Sequence, residues 1–193
     1  MNKEILLNIK NSLLEQNKQL VHFSKDKFFT DDYTLTTNSI GVYCIKLFNI
    51  PAYIGETTQN LRKRLSRFIK VAKNEQHETE SHSLGADIIE MSKQYNIPID
   101  TLISSCSYSY IRLRDLKTNY FKDVIFPRST VYGTENLTIS DFTSKQITQF
   151  VENEMIKDIG PVCNRSLNGY SKNRILNSEM LNNILKNFER KVA

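Results

Sequence analysis

The segment Gly41 to Leu65, GVYCIKLFNIPAYIGETTQNLRKRL, constrains this chain more than any other. Two short apolar runs each carry a glycine and a tyrosine close together, Gly41-Val42-Tyr43 and Tyr53-Ile54-Gly55. The pattern predicts strands over 41–48 and 52–55, joined by a turn at Asn49-Ile50-Pro51 into an antiparallel hairpin. A basic helical pattern follows, with Thr57 or Thr58 as its cap and Leu61, Leu65, Phe68 and Ala72 at helical spacing. Successive residues turn by about 100° on a helix, which sets Arg64 beside that apolar stripe and points Lys63 and Arg67 outward.

The rest of the chain has to be compatible with a small hairpin and the helices that cover it. At 193 residues one domain is expected, with 39% hydrophobic and 24% charged residues as in a soluble globular protein. No apolar run approaches the roughly 20 residues of a membrane helix. The N-terminus is interrupted by Lys3, Glu4, Asn8, Lys10 and Asn11, which argues against a signal peptide. It reads as an amphipathic helix with Ile5, Leu6, Ile9, Leu13 and Leu20 inward. Cys44, Cys106 and Cys163 fit no zinc or disulfide spacing, so reduced thiols in a cytoplasm are expected. Heavy use of Asn, Lys and Ile fits an AT-rich genome, a phage or a low-GC bacterium, and hence a bacterial cell or phage-infected host. The net charge of +5 suits a polyanionic partner without requiring one.

Downstream, Ser24 to Ser39 is polar and turn-rich and is expected to wrap the body. A helix is expected over 84–95, ending before Pro98, and a third strand over 105–113. Lys117 to Leu137 looks like an inserted hairpin or ordered loop. Thr143 and Gln146 form a capping box for a helix that Gly160 and Pro161 end. A last helix is expected over 178–192. The fold class is therefore α/β, in the α+β sense. It comprises a small three-stranded antiparallel sheet flanked by helices, with a long insertion before the glutamate-bearing helix. Within a single domain the parts run 1–38, 41–73, 74–142, 143–164 and 165–193.

Several side chains could do chemistry, and each has an ordinary alternative. Arg64 could stabilise a pentacoordinate phosphoryl transition state or simply snorkel from a basic face. On the later helix Ile147, Phe150, Val151 and Met155 form the expected buried stripe, with Glu152 and Glu154 at its borders. One carboxylate there could hold Mg²⁺, and periodicity does not choose between them. Tyr43 and Tyr53 are good strand residues, and a tyrosine serves as a general base only where a nearby cation lowers its pKa. His77 and His82 show no ligand spacing and are expected in solvent.

Taken together, Gly41-Val42-Tyr43, Tyr53-Ile54-Gly55, Asn60 to Leu65, Val151 to Lys157, Pro161 and Asn164 closely resemble the signature of the GIY-YIG nuclease family. The resemblance selects Glu152 over Glu154. It implies a metal-dependent endodeoxyribonuclease using Mg²⁺ (or Mn²⁺) and acting on double-stranded DNA. In that reading Tyr43 is the general base and Tyr53 orients the water or the scissile phosphate. Arg64 stabilises the transition state, Glu152 binds the metal, and Asn164 holds the local structure or touches the phosphate.

Three departures stand out. Many relatives carry a lysine where this chain has Glu56, which is expected either to join the metal shell or to signal weaker activity. Several have a His or Tyr where it has Phe68, with His77 as a candidate substitute, and Arg64 and Glu152 are unusually far apart across the insertion. Phosphate contacts are expected from Arg62, Lys63, Arg67, Arg128 and Arg165, among other cations, and target recognition from the insertion. A stand-alone restriction-type or phage enzyme is favoured over a homing enzyme, with a homodimer or sequential nicks for double-strand cleavage. The rival expectation is a catalytically decayed DNA-binding protein on a nuclease core.

Overall fold

A computed structural model describes residues 3–20, 40–58, 60–73, 82–161 and 163–164. The predicted Ser24–Ser39 segment and 178–192 helix, together with His77 and Arg165, lie outside the described residues. Strands β1 (Lys18–Gln19), β2 (Gly41–Leu47), β3 (Ile50–Thr57) and β4 (Cys106–Arg112) form one antiparallel sheet in the order β1-β4-β2-β3. The expected three strands are its body, and β1 extends its other edge by two residues. All seven residues of β2 are buried, as befits a central strand covered on both faces.

Alternation along β2 divides the core. Tyr43, Ile45 and Leu47 pack with Leu65 and Phe68 of α2 (Leu61–Ala72), Leu84 and Ile88 of α3 (Ser83–Tyr95), and Leu102 of α4 (Ile99–Ser104). Val42 and Cys44 face the opposite layer with Ile54, against Ile9 and Leu13 of α1 (Lys3–Glu15). Val151 and Met155 of the last described helix, α6 (Ser144–Ile159), complete that layer. Lys46 also falls on that side and is 1% exposed. Its ammonium donates to the Leu14 and Gln16 carbonyls and to Asn17 Oδ1, giving partners to groups left open at the end of α1.

Local chemistry moved several boundaries. The β2–β3 turn falls on Phe48-Asn49, both with positive φ (51° and 67°), so Ile50 and Pro51 belong to β3. This is the primed geometry that matches strand twist in two-residue hairpins. Pro51 is tolerated because β3 is an edge strand, and the register shifts beside its partner Lys46. Since β3 continues to Thr57, which pairs with Gly41, neither Thr57 nor Thr58 caps α2. Asn60 does, its side chain accepting from the Lys63 amide at 3.3 Å. Helix α1 stops at Glu15, leaving Leu20 beyond it but still against the core.

After β4 the chain makes α5 (Leu113–Asp115) and a wide helical turn, Leu116–Tyr120. A separate hairpin follows, β5 (Phe126–Thr130) and β6 (Gly133–Leu137). The Thr143–Gln146 capping box is present at the start of α6, and Gly160 closes that helix in the left-handed region at φ 64°. Phe150, expected in the buried stripe, is 37% exposed, and Ile156 takes the inward place on the next turns. No described helix is long and apolar enough to cross a membrane.

Candidate active site

The sheet edge formed by β3 gathers residues distant in sequence. Tyr43 on β2 pairs in register with Gly55 on β3, and a β-carbon at Gly55 would lie 2.5 Å from Tyr43 Oη and 2.7 Å from the Tyr53 ring. Only glycine leaves room for both phenols to lie against this strand. The two rings are 6.0 Å apart and tilted by 39°. The two phenols are neighbours whose side chains interact, and Tyr53 as a residue is partly exposed while Tyr43 is buried.

Arg64 stands in the first turn of α2, partly buried, where its charge reaches Tyr43, Tyr53, His82 and Glu152. Burial pushes the Tyr43 phenol well above its ordinary value, and the neighbouring Tyr53 adds to this, while Arg64 only partly offsets it. The Tyr53 phenol is raised as well, first by burial and then by the Glu152 carboxylate. Without an added cation, both tyrosines therefore remain protonated at neutral pH.

Glu152 approaches from the other face of the sheet on α6. Burial and then the Glu56 carboxylate push its pKa up to about 7, opposed by a hydrogen bond from the Glu56 amide and by Arg64. Glu56 itself lies within 3.3 Å of Thr148 Oγ1, one helical turn before Glu152. Two carboxylates repelling each other at a partly buried position form a donor set that a divalent cation would relieve. Among the described residues no group of three or more His, Cys, Asp or Glu side chains converges. One or two carboxylates, with waters completing the sphere, is the usual pattern for Mg²⁺. Glu154 turns instead to Lys157, 2.7 Å away.

Asn164 is 4% exposed, and its side-chain amide is spent on the backbone of Ile54. Its Oδ1 accepts from the Ile54 amide at 2.8 Å and its Nδ2 donates to the Ile54 carbonyl. The Cys163 amide bonds the Ala52 carbonyl at 2.8 Å. Residues 163–164 thus seal the open edge of β3 and hold the strand carrying Tyr53 and Glu56. Of the expected phosphate contacts, Arg62, Lys63 and Arg128 are exposed and Arg67 is partly buried.

His82 overturns the expectation of a solvated loop histidine. It is 7% exposed, with its ring 4.8 Å from that of Tyr53 and 5.5 Å from that of Phe68. It occupies the N-cap of α3 without making a side-chain cap, and among the described residues neither ring nitrogen has a hydrogen-bond partner. Burial, with Arg64 and Arg67 behind it, lowers its pKa to about 4, so the imidazole is neutral. Spacing could not reveal this, because the contacts that bury His82 come from β3 and α2. Its one sequence signal is the Leu84 helix that starts beside it.

The fold and this edge define an α+β chain with two tyrosines, an arginine and two glutamates at one strand. No protein-family model matches the chain. No curated protein matches it either. Among solved structures, that of a mutant of bacteriophage T4 EndoII is similar. The likeness covers 77% of this chain and 88% of that one, at 18% identity and a TM-score of 0.38.

Proposed function

We propose that this chain is a GIY-YIG-type endonuclease that hydrolyses phosphodiester bonds in double-stranded DNA with a divalent metal ion. The observation that carries this reading is the convergence of Tyr43, Tyr53, Arg64 and Glu152 at one strand edge, from three separate stretches of sequence. Arg64 faces the position where charge develops on the phosphoryl group and stabilises it. Tyr53, beside Tyr43 and partly exposed at the strand edge, orients the water or the scissile phosphate. Tyr43 would serve as general base for the water only as its phenolate, its own proton first released to solvent, a state that burial disfavours unless positive charge lies nearby. Glu152 holds Mg²⁺ (or Mn²⁺), with Glu56 as a second oxygen donor. When bound, the ion supplies Lewis-acid stabilisation of the leaving oxygen.

One such centre cuts one strand, so a double-strand break at a defined sequence requires a homodimer or two successive nicks. A restriction or phage role in a bacterial cytoplasm fits this scheme. Glu56 and the raised Tyr43 phenol favour one rival, a DNA-binding chain that has lost catalysis. Supercoiled plasmid incubated with the protein in Mg²⁺ or in chelator separates the two. Nicking that needs the metal and disappears in Glu152→Ala and Arg64→Ala supports the nuclease. Binding without nicking in any divalent metal supports the rival.

A further inference from the structure

The β5–β6 hairpin combines two features that packing does not explain. Every residue from Pro127 to Asn136 is exposed except Thr130, which is partly so, and neither face of the ribbon is covered. At its tip Val131 is 96% and Tyr132 100% exposed. A two-residue hairpin turn ordinarily takes Asn, Asp or Gly, whereas a β-branched and an aromatic residue fit it poorly. Gly133, at φ 132°, absorbs the unusual backbone angle next to them. An isolated two-stranded ribbon is also marginal in water. This one is held at its base, where Phe126 lies 6.1 Å from Phe121 and 5.1 Å, edge-on, from Phe142. The chain then passes through two successive capping boxes, Thr138 with Asp141 and Thr143 with Gln146, into the helix that carries Glu152.

From this geometry we infer that the β5–β6 hairpin enters the major groove of duplex DNA, with Val131 and Tyr132 against the base edges. The inference rests on the nuclease reading and specifies how that site finds its target. Five residues per strand span about 17 Å, and a two-stranded ribbon fits a major groove about 12 Å wide. Arg128 stands opposite Glu135, so the middle of the ribbon is close to neutral. Such a surface suits readout of base edges better than a non-specific grip on phosphates, and Ser129, Thr134 and Asn136 add hydrogen-bonding groups. An apolar tip has a natural major-groove partner in the thymine methyl group. A second copy of the chain is a poorer occupant, because two side chains fall far short of the about 800 Å² per partner of a stable interface.

The test is binding in chelator, where no cleavage is needed. Wild type and the double variant Val131→Ser/Tyr132→Ser are titrated with an AT-rich duplex, and with the same duplex carrying uracil for thymine. The expected result is weaker binding by the variant, on the order of tenfold. Loss of the thymine methyls should weaken wild type but not the variant, at an unchanged melting temperature. Equal affinity of both proteins for both duplexes overturns the inference while leaving the nuclease reading intact. A variant that instead loses mass in light scattering and keeps its DNA affinity overturns it in favour of self-association. If wild type binds no duplex at all, the nuclease reading fails as well.

Discussion

Replacing Glu152 by Gln should stabilise the metal-free protein above neutral pH while abolishing its response to metal. The Glu152 carboxyl is raised from 4.5 to about 7, first by burial and then by Glu56. A group whose folded pKa lies above its unfolded value favours the folded state while protonated. That contribution is complete below about pH 4.5 and is lost as the pH rises through about 7. At about 1.4 kcal/mol per pKa unit, the full shift corresponds to about 3 kcal/mol. Partial exposure of the side chain screens it, leaving about 1–2 kcal/mol. Glutamine keeps the size and the acceptor oxygen but never ionises. At pH 8 in chelator the variant should therefore melt about 3–6 °C above wild type, and at pH 4.5 the two should coincide. Added Mg²⁺ should raise the melting temperature of wild type at pH 8 and leave that of the variant unchanged. Differential scanning calorimetry across this pH range, with Glu154→Gln as the surface control, makes the measurement. A variant equal to or less stable than wild type at pH 8 would refute the idea that a desolvated, repelled carboxylate sits at this edge.

His82 titrates in the opposite sense, and the remaining expectations begin there. Its folded pKa near 4 lies below the ordinary 6.5, so wild type should lose up to about 3 kcal/mol of stability as the pH falls from 6.5 to 4. His82→Phe should remove that acid sensitivity and, by deleting two buried nitrogens that have no partner among the described residues, gain about 1–3 kcal/mol at pH 7; a steeper acid melt in the variant would contradict this. Gly55→Ala forces a methyl to within 2.5 Å of Tyr43 Oη, so nicking should fall at least tenfold, with a shift in tyrosine near-ultraviolet circular dichroism. An unchanged rate would mean that the two phenols are not held in place for the reaction. Asn164→Ala leaves the Ile54 amide and carbonyl unpaired at a buried edge and should cost about 2–4 kcal/mol in urea unfolding. A loss of activity at unchanged stability would instead give Asn164 a direct role with the substrate.

Local features were legible because their causes are local. The alternation of Gly41 to Leu47, the stripe of Leu61, Leu65, Phe68 and Ala72, and the Thr143–Gln146 box all depend on residues within a turn or strand of one another. The Phe48-Asn49 turn was missed because its left-handed backbone favours Asn only at one of its two positions, and Pro51 drew the turn toward itself. Phe150 was misplaced because one apolar residue on a helix border does not reveal where the neighbouring layer ends.

Sequence alone determined the hairpin, the helix that follows it, and which phenol, guanidinium and carboxylate groups lie along the chain. It left open whether those residues meet. Tertiary structure decided that, because α6 and residues 163–164 reach β3 only by packing across the sheet. Charge states were decided there too. Burial and facing charges, invisible along the chain, keep both tyrosines protonated, make Glu152 reluctant to ionise and leave His82 neutral beside two arginines.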